Sequence, residues 1–135
     1  LELMLLAARE QNVPMIIGSA GDTGANSRVD MYVEMIKDLA KELVDKLKDA
    51  FNWNEGEEYA VLVNGMGATP LMEQFVFMND VKKLLVDEEK LNLSFRKVGD
   101  YMTSIDMEGL SLTLLKLEDK KWLDYLNAPV DVISW

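Results

Sequence analysis

A chain of 135 residues, 49% of them hydrophobic, has the size and apolar content of one domain with one continuous core. Its 24 acidic and 14 basic residues leave a formal charge of −10, which repels nucleic-acid phosphates and anionic lipid, and its few Lys pairs (Lys82-Lys83, Lys120-Lys121) form no basic patch. Cysteine and histidine are both absent, which excludes disulfides, thiolate metal sites, cysteine nucleophiles, the commonest zinc ligand and any Ser-His-Asp arrangement.

The opening stretch, Leu1 to Ala8, is apolar but too short to span a bilayer and lacks the basic flank of a signal peptide, and the helical period of its apolar residues predicts a helix over Leu3 to Gln11. Asn12 followed by Val13-Pro14 stops that helix, because a residue before proline is biased away from the α region. A short strand, Met15-Ile16-Ile17, leads into a loop from Gly18 to Asn26, where glycines at 18, 21 and 24 allow close backbone approach. From Ser27 the apolar positions Val29, Val33, Ile36, Leu39, Ala40, Leu43, Val44 and Leu47 recur at spacings of three and four, which predicts a long amphipathic helix ending near Phe51.

Tyr59-Ala60-Val61-Leu62-Val63 is the strongest buried-strand signal. Asn64 to Ala68 then turn into Thr69-Pro70, where threonine suits a helix cap and proline the first turn, and a helix follows to about Val86. Two alternating segments, Leu91 to Arg96 and Leu110 to Leu115, predict strands; the short span between them favours an antiparallel, hairpin-like pair. Asp119 to Asn127 reads as a short helix and Val130 to Ile133 as a last strand. The expected fold is α/β: a single domain over residues 1–135, with a mixed sheet of about five strands packed by about four helices. Met31, Met35, Met72 and Met78 lie in helical segments and read as gap-filling core.

Three constellations bear on chemistry. The strand-to-helix loop containing Gly18, Ser19, Gly21, Asp22, Thr23 and Gly24 places backbone N–H groups where a helix dipole favours an anion. Its spacing differs from the dinucleotide fingerprint, and it lacks the lysine of a P-loop, so a plain connecting loop is the competing reading. The second turn, with Asn64, Gly65, Gly67 and Thr69, stands at the carboxyl end of a central strand and is either the other wall of one crevice or a tight turn with a capping threonine. The third, Gly99 to Gly109, holds hydroxyls and carboxylates; Asp106 or Asp22 would serve as a base if buried, and an ordered turn with Ser104 capping one helical turn is the plainer reading. No cofactor, metal or catalytic residue is expected from these residues.

Val61 to Glu73, Val98 to Ser104, Gly109 to Leu117 and Ala128-Pro129-Val130 form an ordered series that resembles the C-terminal lobe of the substrate-binding subunit of dihydroxyacetone kinase. The resemblance implies a family that binds dihydroxyacetone through a histidine hemiaminal in a glycine-containing loop, with nucleotide and magnesium supplied by a separate subunit. Here that slot is filled by Gly18 to Asn26, without histidine. The first 40 or so residues are similar instead to the acyclic terpene utilisation family, through Leu3 to Arg9, Pro14 to Gly21 and Val29-Asp30. Together the two resemblances imply either a recombined or designed chain joined near Lys41 to Phe51 or divergence within one lineage. With histidine and cysteine both absent, the chain reads as a cytoplasmic domain without kinase chemistry, which acts as a structural unit, as a non-covalent binder of a small anion or polyol, or as a degenerate subunit. The partners expected are a second copy or a missing partner lobe, with no nucleic acid and no membrane.

Overall fold

The computed structural model describes residues 26–133 and 135. The chain divides into two compact units, residues 1–33 and 34–135. The second holds the sheet, and of the first only the opening turns of a helix are described. The expected helix at Leu3 to Gln11, the strand at Met15 to Ile17 and the first glycine loop lie outside the described residues.

Helix α1 (Asn26–Phe51) has 26 residues and buries Ala40 and Val44, with Ile36, Leu43 and Leu47 packed beside them, as its apolar spacing predicts. Its outer face carries the Lys41–Asp45 and Glu42–Lys46 pairs one turn apart, at 2.9 and 2.5 Å. No described helix is long and apolar enough to cross a membrane.

Strand β1 (Glu58–Gly65) leads into α2 (Leu71–Lys82), which continues as one π-helical stretch, Lys83–Glu88, and returns the chain to β2 (Asn92–Gly99). The wider turn buries Leu85 and hands its carbonyl to the N–H of Leu91 at 2.9 Å. Strand β3 (Leu110–Lys116) and helix α3 (Lys120–Asn127) complete the order; the Asp119 carboxylate caps α3 by accepting from the Lys121 N–H at 2.9 Å.

The sheet is mixed, as expected, but its order is β2-β1-β3, with β2 parallel and β3 antiparallel to β1. The expected hairpin between β2 and β3 therefore does not form. Tyr59 to Val63 is the most apolar strand, and placing it in the centre buries Tyr59, Val61 and Val63 on one face and Ala60 on the other, with Leu62 half-buried. The described residues hold three strands and three α-helices, where about five and about four were expected. Part of the difference falls outside them, but Val130 to Ile133 is a correction: after Pro129 this segment has no ladder partner and runs as irregular chain.

Tyr59, Val61 and Val63 face α1 and α2 and meet Phe77, Val81 and Leu85 in the core. Along β2 the register shifts between the partners of Tyr59 and Ala60, so Leu93 pairs with Tyr59 whereas Phe95 pairs with Ala60. One extra residue moves every later side chain to the opposite face. Phe95 consequently leaves the core side and stacks on Trp135, at 6.4 Å between centroids and 12° between planes. Lys97 shares that face, with its ammonium 3.6 Å from the Trp135 ring centre.

Two polar clusters fix the opposite end of the sheet. Glu57 accepts from Lys116 at 2.5 Å and from the Tyr59 hydroxyl at 3.1 Å, and Glu89 accepts from Lys48 at 2.5 Å and from the Trp53 indole at 3.1 Å. Of the helical methionines only Met78 is buried core; Met35 and Met72 stand exposed.

Candidate functional site

In an open α/β sheet, ligands collect outside the carboxyl ends of parallel strands, here the ends of β1 and β2. Two loops meet there, residues 66–70 after β1 and residues 100–109 after β2.

Asn64, second from the end of β1, is buried. Its Oδ1 accepts from the N–H groups of Tyr101 and Met102, both at 2.8 Å, and its Nδ2 donates to the Met102 carbonyl at 2.8 Å. Two longer contacts, to the Ser111 hydroxyl at 3.5 Å and the Met66 sulfur at 3.7 Å, share the remaining amide hydrogen. All of the hydrogen-bonding capacity of the amide is thus spent on the chain itself.

Gly65 follows because nothing larger fits: a Cβ there would overlap the Asp100 carboxylate and the Gln74 amide. Gln74 is completely buried, and its Nε2 donates to Asp100 Oδ1 at 2.8 Å and to the Thr69 carbonyl at 3.0 Å. Gln74 Oε1 is buried without a partner. Gly67 has φ +111°, and a Cβ would run into the Ser104 carbonyl.

Thr69 does not cap α2. Pro70 occupies the N-cap with no side-chain cap bond, and Thr69 Oγ1 instead donates to the Gly109 carbonyl at 2.8 Å while accepting from its N–H at 2.9 Å. Ser104 caps no helical turn either; its hydroxyl donates to the Met66 carbonyl at 2.7 Å, because the loop runs in bends that bring it against the turn after β1. The Ala68 N–H donates to the Met107 carbonyl at 3.1 Å, and Gly67 forms an isolated bridge with Met107. Burial pushes the Tyr101 hydroxyl above its ordinary pKa, helped by the Asp100 charge, and that hydroxyl donates to the Val98 carbonyl at 2.9 Å.

At the ends of β1 and β2 the polar side chains are therefore engaged with the chain itself: Asn64 and Gln74 are buried, and the exposed Asp100 accepts from Gln74. The open space lies to one side: a cleft of about 320 Å³ lined by Ile36, Leu39, Thr69, Glu73, Phe77, Gly109 and Leu110. Its volume falls at the lower end of small-molecule sites. Neither 66–81 nor 98–115 contains a lysine or arginine, so these two segments present carboxylates and no cation. Asp106 is exposed on the loop, not enclosed as a base would need to be. Gly18, Ser19, Gly21, Asp22, Thr23 and Gly24 lie outside the described residues. Sequence reasoning passed over Gln74, a glutamine in an apolar helix, whose signal was its place on the buried side beside Phe77 and Met78. Among the described residues no group of three or more carboxylates is placed to hold a metal ion.

Comparison with known proteins matches residues 6–134 to the Dak1 domain. The chain belongs to the Dak1 family. It is 64% identical over 98 residues to the dihydroxyacetone-binding subunit DhaK of the PTS-dependent dihydroxyacetone kinase of Lactococcus lactis, covering 73% of this chain and 29% of that protein. It is 46% identical over 128 residues to the DhaKLM operon coactivator DhaQ of the same species, covering 93% of this chain and 38% of that protein. A solved structure of a dihydroxyacetone kinase operon co-activator, DhaQ, superposes with a TM-score of 0.66 at 51% identity, over 70% of this chain and 29% of that one. The chain spans well under half the length of these relatives. The Dak1 match runs from residue 6 through the segment likened to the terpene-utilisation family, so that resemblance and a joined or designed origin gain no support from it.

Proposed function

We propose that this Dak1 segment is catalytically inert and acts by association with a partner lobe, in the manner of a degenerate dihydroxyacetone kinase subunit or of a coactivator. One observation carries the reading: the polar side chains at the carboxyl ends of the parallel pair, Asn64, Gln74 and Asp100, are each bonded within the chain. The sequence supplies no imidazole to form the hemiaminal that the family resemblance implies. The relatives are named as a coactivator, DhaQ, and as a binding subunit, DhaK, which supports action together with a partner. A chain without cysteine fits a cytoplasmic setting.

The test is incubation of the purified chain with dihydroxyacetone, followed by intact-mass spectrometry and titration calorimetry. No covalent adduct is expected; an adduct on any side chain overturns the reading.

A second reading rests on the cleft beside Thr69. Its polar lining is hydroxyl and carboxylate, and Glu73 accepts hydrogen bonds but repels anions. The cleft therefore suits a neutral polyol better than a small anion. Glycerol or dihydroxyacetone would raise the melting temperature at concentrations above its dissociation constant, and inorganic phosphate would not.

A further inference from the structure

The loop after β2 is apolar where it meets water. Ile105 is fully exposed, Met102 is 82% exposed and Met107 about half. Loops are ordinarily polar, and exposed side chains of this size contribute nothing to the core. Yet the backbone around them is tied down at several points: at Tyr101 and Met102 by Asn64, at Ser104 by the Met66 carbonyl, at Met107 by Ala68 and at Gly109 by Thr69. A buried asparagine, two glycines and a threonine are committed to holding three apolar side chains in solvent. Such a platform loses little conformational entropy on docking. On the adjoining turn, Leu71 and Met72 are also more than half exposed.

Charge selects the occupant. Glu73, Asp106 and Glu108 stand among these apolar residues, all exposed, and no cation lies between 66 and 81 or between 98 and 115. A second copy docking face to face would bring the same carboxylates together, in a chain already at −10. Anionic lipid meets the same repulsion. A partner with a basic apolar surface gains both methionine packing and ion pairing.

We propose that the loop at 101–108, with the adjoining Leu71 and Met72, is the docking surface for a basic, amphipathic protein partner. The proposal rests on the reading that the chain acts by association, and it names the face that does so.

The probe is a synthetic helical peptide of leucine and lysine, titrated into the isotopically labelled chain and followed by amide shifts, with a leucine and glutamate peptide as control. Shifts centred on residues 66–72 and 100–109 are expected with the basic peptide alone. Met102→Ser, Ile105→Ser and Met107→Ser combined should weaken binding at least tenfold while leaving the thermal midpoint unchanged. Asp106→Asn with Glu108→Gln should weaken it several-fold and flatten its salt dependence. Shifts centred instead on the apolar groove of Leu115, Trp122 and Leu126 overturn the proposal. So does a dimer by sedimentation equilibrium that the triple variant dissociates, since the occupant would then be a second copy. A dihydroxyacetone adduct would remove the non-catalytic reading and leave the mapped surface standing, so the two failures are separable.

Discussion

The side chain of Asn64 holds both backbone polar groups of Met102, accepting from its N–H and donating to its carbonyl at 2.8 Å each. Residues 38 apart are thereby joined as one strand is joined to another, and the loop after β2 is shaped from the end of β1. Asn64→Ala leaves Tyr101 N–H and both groups of Met102 without partners in a part-buried place, at a cost of about 1 to 3 kcal/mol for each group that water does not reach. Urea unfolding should register the loss, and amide exchange at Tyr101 and Met102 should accelerate more than at Val61.

Glycine to alanine at two positions separates close packing from backbone strain. At Gly65 the new methyl must displace the buried Gln74 amide, costing about 1 to 3 kcal/mol by overpacking together with the bonds it breaks. At Gly56, with φ +80° and open space around it, only the left-handed backbone is strained, at about 1 to 2 kcal/mol. Gly65→Ala should also shift the Thr69 and Asp100 amide resonances, which Gly56→Ala should leave in place.

Acid should weaken the fold through Glu57. The Lys116 ammonium, then the Asn54 amide and N–H, hold its carboxyl down to about 2, against an ordinary value of 4.5. Because the folded value is the lower one, the stabilisation is present above pH 4.5 and is lost as pH falls towards 2. Alkali acts through Tyr59, which burial and the neighbouring Glu57 push up to about 12 from 10. Here the folded value is the higher one, so stability is full below pH 10 and lost as pH rises towards 12. Glu57→Gln should flatten the acid limb of a melting temperature against pH profile.

Core and platform should respond oppositely to truncation. Phe77, 1% exposed between α2 and the sheet, should cost about 3 to 5 kcal/mol as Phe77→Ala. Ile105→Ser should change stability by less than about 0.5 kcal/mol, since its side chain touches water on all sides. Chemical denaturation of the two variants decides whether Ile105 belongs to folding or to association.

Trp135 should report on its own stacking. Its ring lies against Phe95 and beneath the Lys97 ammonium, so Lys97→Met should remove about 0.5 to 2 kcal/mol of cation–π attraction and alter the environment of that indole. Trp122 lines the same groove as Trp135, so Trp53, packed edge-on against Tyr59, serves as the internal reference when each indole is labelled.

Local pattern alone determined a good part of this protein. The spacing from Ile36 to Leu47 dictated which side of α1 packs, the run Tyr59 to Val63 could only be a buried strand, and the order of blocks from Val61 onward pointed to the Dak1 family before any coordinates. Such features repeat every two or 3.6 residues, so they are written in neighbouring positions. The tertiary structure decided the rest, because it depends on contacts between distant residues. Leu91, Leu93 and Phe95 read as one apolar face, but the shift in register that turns Phe95 away from Leu93 arises from pairing with β1. The short span between β2 and β3 suggested a hairpin, yet the most apolar strand sits between them, since the central position buries residues on both its faces. Thr69 stood where a cap belongs and was taken by Gly109, 40 residues away. Asn64 looked like half of a ligand crevice; the fold gives every one of its bonds to the chain and places the open apolar surface on the loop it holds.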